Sequence, residues 1–588
     1  MSEILQTLRE TFAGPVRTLR VYTAGKLRRD LLAGLTVSVV ELPQAMAYAL
    51  VAGVPPEFGV YTSVIQGILG ALFSSSHHLA TGPTNTQSLL IASAVNRLAG
   101  GDAATYLQLV FAMTLIKGVI QLLFAVANLG DLVRYVGRSV ILGVASGAGV
   151  LIFVGQLPHL LGIEIDRTSP LPGAIGLLWE LLPNLRDTNG LAIGLGCIGM
   201  AIILVMRSIS RLLPGALLAV VVLAAIVWAT GWRAELPTIG ALPVHLPDLK
   251  NPWPGWAQAE ALLGGALALA MIGMLETVAI GKSIATRTGE RINPNQEFLA
   301  QGISNTVSSF MQCIPGSGSF TRSALDHEAG ALTRFAAVYN ALFVAVIYFA
   351  LADLAKYVPL AALAAILMVV AFGLIEWRYP LRVWRASRDD AVVFITTALA
   401  TIVAPLQYAI FIGIFLNLAL HLRAASRLHL SEMIVRGGRF IERPLTDQSG
   451  AETVMFLQFE GDLYFAVGDE LQDRLSAITH GGSRVVIVRL KRTHSIDSTI
   501  FHILEQFVAE MKRRQRHVLL CGVRPQLMLS LRSYGLLKQI GEANVFEAGP
   551  GVFTSAKRAL ARAQELVGRS IDASGIDDEE DDEVMYHI

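Results

Sequence analysis

The sequence predicts a polytopic α-helical membrane protein: fourteen spans forming a seven-plus-seven inverted repeat with two half-helices, followed by a C-terminal cytoplasmic α/β domain. Three observations carry this. The 588-residue chain is 53% hydrophobic and only 16% charged, against about a quarter charged in soluble proteins. The charge is segregated, with long apolar runs over 31–426 and a polar sequence from 427 onward. Two stretches broken by Pro and Gly and rich in hydroxyl residues recur, near Pro83 and near Pro315. The net charge of +1 gives no sign of a nucleic-acid partner.

Residues 1–30 carry Arg9, Arg17, Arg20, Lys26, Arg28 and Arg29 without a short apolar core, so they read as a basic, partly amphipathic cytoplasmic lead-in and not a cleaved leader. Apolar segments follow at 31–52, 60–75, 85–98, 105–127, 134–156, 191–206, 215–231, 261–281, 295–312, 319–330, 333–351, 355–375, 391–404 and 407–426. Some approach the roughly 20 residues a span needs, and some are conspicuously short. A surface helix is also expected within 170–190. With the N-terminus inside, the loops after even-numbered spans hold Arg134 and Arg138, Arg207 and Arg211, Lys282, Arg287 and Arg291, then Arg378, Arg382, Arg385 and Arg388. The long loops 157–190 and 232–260 fall outside and are poorer in Lys and Arg, as the positive-inside rule requires. An even count returns the C-terminal part to the cytoplasm.

The stretch Gln312-Cys313-Ile314-Pro315-Gly316-Ser317-Gly318-Ser319-Phe320-Thr321-Arg322-Ser323 lies deep in apolar sequence. Pro315 ends a helix arriving from Phe310, and Gly316 and Gly318 give the backbone unusual freedom. A helix restarting near Ser319 has unpaired N–H groups and a positive dipole end, which together make an anion site. Gly82-Pro83-Thr84-Asn85-Thr86-Gln87-Ser88 repeats the pattern. Glu41 and Glu276 are 235 residues apart, as are Thr84 and Ser319. Seven spans per half set the two halves in opposite orientation, and paired interrupted segments of this kind point to a transporter site.

The soluble part divides into a polar linker (427–451), an α/β domain (452–566) and a solvated acidic tail (567–588) with seven successive acids from Asp577. Strands are expected at 453–459, 484–490 and 517–523, and helices at 467–478, 499–513, 525–534 and 552–566. The domain has no GxGxxG and no P-loop. Cys197, Cys313 and Cys521 are far apart and form no metal spacing, so neither a metal nor a cofactor is expected.

Arg322 in a membrane segment is a functional residue by default. Glu276 is a partner for Arg322, a proton carrier, or one arm of a structural salt bridge. Glu41 is a second coupling candidate. Gln44 and Tyr48 share its helical face at +3 and +7, and Pro43 loosens that helix. Lys117 reads as a structural partner of its neighbours, and His77, His78 and Glu57 as interfacial residues. Asp497 or Ser498 caps a helix, with phosphorylation of the hydroxyls as a regulatory alternative.

Pro43-Gln44-Ala45-Met46-Ala47-Tyr48-Ala49-Leu50, Ala52-Gly53-Val54-Pro55-Pro56-Glu57-Phe58-Gly59-Val60-Tyr61 and Asn295–Asn305, with Gly318–Ser323 behind, resemble the signatures of SulP-family anion permeases carrying a C-terminal STAS domain. The resemblance runs over roughly 15–566. It implies core and gate subdomains, a homodimer in the cytoplasmic membrane and an elevator movement. It places a small inorganic anion between the third and tenth spans. The implied site is Gln44, Tyr48, Thr84, Asn85, Glu276, Gly318, Ser319, Phe320, Thr321 and Arg322. Family substrates include sulfate, bicarbonate, chloride and dicarboxylates. Ile280 follows Glu276 where a second carboxylate would suit sodium, and Gly318–Ser323 looks more like sulfate permeases, so proton-linked sulfate transport is expected. Bicarbonate or dicarboxylate transport and an anion channel or exchanger are the alternatives. Ile500 replaces the glycine of the Asp-Ser-Ser/Thr-Gly loop found in regulatory STAS relatives. The apolar part shows no nucleophile–base pair of the kind a lipid-acting enzyme needs.

Overall fold

The computed structural model describes residues 2–96, 98–130, 137–163, 173–210, 213–425, 428–436, 439–445, 453–549, 551 and 553–568. Arg134, Arg211, Gly437-Gly438 and the acidic run from Asp577 lie outside these residues. The chain divides into two compact units, 1–420 and 421–588.

In the first unit α1 (Ser2–Arg20) precedes the first span, α2 (Ala24–Val51). Thr23 starts α2 by accepting the Lys26 N–H at 3.4 Å, and the positive-φ Gly53 follows its end. Pro43 was expected to loosen this helix, yet α2 runs unbroken through it. One missing backbone donor is outweighed where a fully packed face holds both halves: residues 41–49 are buried throughout. Next come α3 (Pro56–Phe73), the two-residue strand β1 (Thr81–Gly82), and α4 (Asn85–Val95). They lead into α5 (Ala103–Val126), α6 (Arg138–Gly155), the short α7 (Leu157–Leu161), α8 (Gly173–Leu181), α9 (Gly190–Ile209) and α10 (Gly215–Thr230).

The second half repeats this order. It runs through α11 (Trp256–Thr288), α12 (Pro294–Ser309), β2 (Ser317–Gly318), α13 (Phe320–Glu328), α14 (Phe335–Leu351), α15 (Leu360–Leu374), the short α16 (Tyr379–Ala386), α17 (Arg388–Val403) and α18 (Leu406–Ala425). Every one of the fourteen expected segments falls on a helix, and α8 occupies the expected extra position. Seven helices among the described residues are long and apolar enough to cross a membrane by themselves. The half-helices α4 and α13, with 11 and 9 residues, reach only about 16 and 14 Å, roughly half a hydrocarbon core.

Packing sorts the helices into two bundles. α2, α3, α5, α11, α12 and α14 pack mainly on one another, and α6, α9, α10, α15 and α17 form the other group. Each bundle therefore takes matching spans from both halves. β1 and β2 pair antiparallel, with Thr81 opposite Gly318 and Gly82 opposite Ser317. The two chain breaks thus cross each other, and the half-helices leave the crossing in opposite directions.

The second unit is a six-stranded sheet with helices on both faces. Its strands are β3 (His429–Arg436), β4 (Arg439–Pro444), β5 (Val454–Leu463), β6 (Val485–Ile496), β7 (His517–Val523) and β8 (Val545–Glu547), in the order β4-β3-β5-β6-β7-β8. Alternation sets the faces. Met455, Leu457, Phe459, Val486 and Val488 face α19 (Gly468–His480), α20 (Ser498–Arg513), α21 (Pro525–Ser533) and α22 (Leu536–Ile540). Phe456, Val485, Ile487 and Leu519 face α23 (Thr554–Val567). The linker reading of 427–451 needs correction, because β3 and β4 lie within it as an antiparallel hairpin on the edge of the sheet. Edge strands bury one face only and keep polar residues, so their composition resembles that of a linker.

Candidate functional site

The crossing of the two breaks is built from buried polar side chains. Asn305 on α12 accepts the Gly316 N–H at 3.0 Å and donates to the Gly316 carbonyl at 3.2 Å. Thr277 accepts the Gly318 N–H at 3.1 Å, and the Ser319 N–H donates to the Ala80 carbonyl at 2.9 Å. Gln66 on α3 donates to Ser308 and to the Ile314 carbonyl, at 2.9 and 3.1 Å. Irregular backbone at membrane depth requires internal partners of this kind.

The glycines serve a purpose other than the one their sequence context suggests. Gly316 and Gly318 do not adopt positive φ. Their need is close approach: a Cβ on Gly316 would run into Gln66 Oε1 and the Gly82 carbonyl, and one on Gly318 would meet Leu79 and Thr277 at 3.2 Å. Gly316→Ala is therefore expected to lower stability by about 3 kcal/mol, because backbone cannot rotate away. Gly318→Ala should cost clearly less and Gly155→Ala, which faces open space, least. Thermal unfolding of the three purified variants checks the order, and equal melting temperatures for the Gly316 and Gly155 variants would refute the crossing as drawn.

Thr84 and Ser319 are the N-caps of α4 and α13. Neither side chain closes on the helix behind it, so the first N–H groups of both helices stay open to a ligand. Thr84 and Ser317 hydroxyls lie 3.3 Å apart, and Ser317 donates to Glu276 at 3.0 Å. Phe320 and Thr321 are exposed at the start of α13, while Ser319 and Asn85 are half-buried.

Arg322 is fully buried. Its carboxylate partner is Glu41, in direct contact, and it donates to the Pro83 carbonyl at 2.9 Å. Glu276 does not pair with it, which corrects that expectation. Asn340 on α14 donates to the other Glu41 oxygen at 2.6 Å. Tyr48 is close enough to feel both Arg322 and Glu41, and Gln44 Oε1 is buried without a partner among the described residues. Lys117, also fully buried, donates to Gln87 and to the Gly316 carbonyl, both at 2.6 Å, and feels the charge of Glu276.

The two sites are permuted copies. Gln87 stands 235 residues before Arg322, the offset that links Glu41 to Glu276. In one copy the half-helix carries the cation and the next span an amide (Arg322, Asn340). In the other the half-helix carries the amide and the next span the cation (Gln87, Lys117). With all four ionised, Arg322 and Lys117 offset Glu41 and Glu276. The field that remains is that of two helix N-termini, roughly half a charge each before screening. Thr86, Val140, Val144, Ile272, Glu276 and Ile410 line a cavity of about 20 Å³, room for about one water.

The sequence selected the helix starts, Arg322 and the two carboxylates. It passed over Thr86, Asn305, Gln66 and Asn340, whose roles depend on which helices meet. In the second unit Asp497 caps α20 by accepting the Ile500 N–H at 3.0 Å and accepts the Phe465 N–H at 2.6 Å. Both oxygens of Asp497 are thereby engaged, and Ser498 is exposed.

Residues 27–397 match the sulfate permease family, and residues 447–548 match the STAS domain. A putative sulfate transporter of Bacillus subtilis is 28% identical over 533 residues, covering 90% of this chain and 97% of its own. A probable sulfate transporter of Mycobacterium tuberculosis is 28% identical over 559 residues, covering 93% and 98%. Among solved structures, the murine solute carrier 26 family member A9 anion transporter, in its inward-facing state, aligns with a TM-score of 0.86 at 18% identity, covering 95% of this chain and 94% of its own. The transmembrane domain of the cyanobacterial bicarbonate transporter BicA aligns with a TM-score of 0.59 at 26% identity, covering 67% and 98%.

Proposed function

The chain belongs to the sulfate permease family, a family of membrane transporters, and on that premise we propose that it is a secondary active transporter of a small anion, sulfate first, coupled to protons. The observation that carries this reading is the crossing itself. Two uncapped half-helix N-termini and two buried cations are gathered at one place in an apolar bundle. An anion leaving water needs fixed donors and positive charge to replace its hydration shell. Gln44, Tyr48, Thr84, Asn85, Glu276 and Gly318 to Arg322 are the residues proposed to surround it.

The cavity beside Glu276 lies between residues of both bundles and has room for little more than a water. Anion entry therefore calls for the bundles to shift against each other. An elevator movement in a homodimer of the cytoplasmic membrane fits that need. Uptake of labelled sulfate into proteoliposomes under an imposed proton gradient, with bicarbonate and fumarate as competitors, tests the proposal. Saturable, gradient-driven sulfate flux supports it, and non-saturating flux would favour a channel. The likeness to BicA supports bicarbonate as the second reading, and preferential competition by bicarbonate would establish it.

Both termini are proposed to be cytoplasmic, from the distribution of basic residues. A single cysteine at Gly240 should then react with an impermeant maleimide from outside intact cells, and one at Arg385 only after the membrane is opened. The reverse pattern would overturn the orientation.

A further inference from the structure

Away from the crossing, the same unit contains a second polar cavity of about 520 Å³ beneath α1, within the usual range for ligand sites. Arg17, Lys26, Arg291 and Arg334 line it, with His77 and the single acid Glu10. Arg334 is its floor. This side chain is 6% exposed, donates to the Leu72 and Ser74 carbonyls at 3.1 Å each, and leaves Nε without a partner among the described residues. The α1 backbone rests on it: a Cβ at Gly14 would fall 2.8 Å from Arg334 Nη1.

Glu290 and Glu297 lie behind this wall, near enough for Arg334 to feel them. Both are occupied. Glu297 accepts from Ser74 Oγ and the Ser75 N–H at 3.0 and 2.7 Å, and Glu290 takes the His77 N–H at 3.3 Å and an ion pair with His78 at 3.7 Å. Asp30 lies behind the wall too, accepting the Leu332 and Thr333 N–H groups at 2.8 and 3.1 Å. These three acids are thus held by backbone donors, while Arg17, Lys26 and Arg291 face the cavity with Glu10 as the one carboxylate among its lining residues. Phe12, Val16 and Leu19, each about half exposed on α1, fall at helical spacing on one stripe. An amphipathic helix with such a stripe and a basic face lies in the membrane interface. That placement brings the cavity to the depth of lipid headgroups.

The geometry points to a binding site for a phosphate-bearing anion here, supplied by an anionic phospholipid headgroup. The site is separate from the transport crossing and does not depend on sulfate being the substrate.

The test uses the full chain in detergent, titrated with phosphatidylglycerol, phosphatidylcholine and inorganic phosphate and read by native mass spectrometry. The variant is Arg17→Gln, Lys26→Gln, Arg291→Gln, in which none of the three side chains is buried. The control is Arg378→Gln, Arg382→Gln, Arg385→Gln, three basic residues at the N-cap and along α16, a helix with exposed Leu381 and Trp384. Phosphatidylglycerol should bind the parent more tightly than phosphatidylcholine. The cavity variant should lose roughly fivefold per charge removed, about a hundredfold in all, and the control should lose little. Competition by millimolar inorganic phosphate would support the site and identify the free ion as its ligand. Equal phosphatidylglycerol binding by parent and cavity variant, or equal loss in the control, would overturn the site.

Discussion

Arg322→Ala is expected to abolish measurable sulfate uptake in proteoliposomes and to weaken sulfate binding by at least about a hundredfold. The physical basis is the loss of a full, permanent charge from a dry site, where hydrogen bonds to charged groups are worth about 1.5–3 kcal/mol each. The single variant also strands Glu41, and breaking a buried pair on one side costs about 3–5 kcal/mol of stability. A double variant separates the two effects. Glu41→Gln with Arg322→Met removes both charges and keeps an acceptor for Asn340, which now donates to Glu41 at 2.6 Å. Its melting temperature should recover most of the loss, while uptake should stay absent. If the double variant transports like the parent, the Glu41–Arg322 pair is a strut, and the charge that receives the anion is that of Lys117.

That alternative matters because the sequence ranks Arg322 as functional and Lys117 as structural, whereas the structure buries both completely at the crossing. Both half-helices were legible, since Pro and Gly interrupt the apolar sequence near Pro83 and Pro315 and hydroxyl residues follow each break, although α3 and α12 end earlier than the prolines, at Phe73 and Ser309. The fourteen segments were legible for the same reason, because apolar runs and breakers act over a few residues. Partner choice was not. Arg322 meets Glu41 across 281 positions of chain, and Lys117 meets the Gly316 carbonyl across 199. Such pairs depend on which helices cross and at what depth. Asn305 shows the same limit: the stretch Asn295–Asn305 marks the family resemblance, yet nothing in it tells that Asn305 holds both the N–H and the carbonyl of Gly316. The hairpin β3–β4 was hidden differently, because a strand with one wet face has the composition of a linker.

Glu276→Gln is expected to leave sulfate binding intact and to flatten the pH dependence of uptake. With both carboxylates ionised, the side chains at the crossing cancel and the helix ends leave roughly one positive charge. A dianion exceeds that by one. A proton on Glu276 removes the excess, so sulfate and the proton favour each other's binding, and by linkage each raises the affinity for the other equally. Glu276 suits this role better than Glu41. Glu41 is fully buried against Arg322 and Asn340, whereas Glu276 accepts a bond from Ser317 at 3.0 Å and borders a cavity. The sign follows: parent uptake should rise as pH falls from 7.5 to 5.5, by up to about tenfold per unit where the carboxylate is mostly ionised. In the variant the amide is neutral at every pH, so uptake should be level across the range. Sulfate should then bind at pH 7.5 at least as tightly as it does to the parent. Uptake by Glu276→Gln that keeps the parent's pH profile would remove Glu276 as the proton carrier, and Glu41→Gln would then be the variant to carry the same measurement.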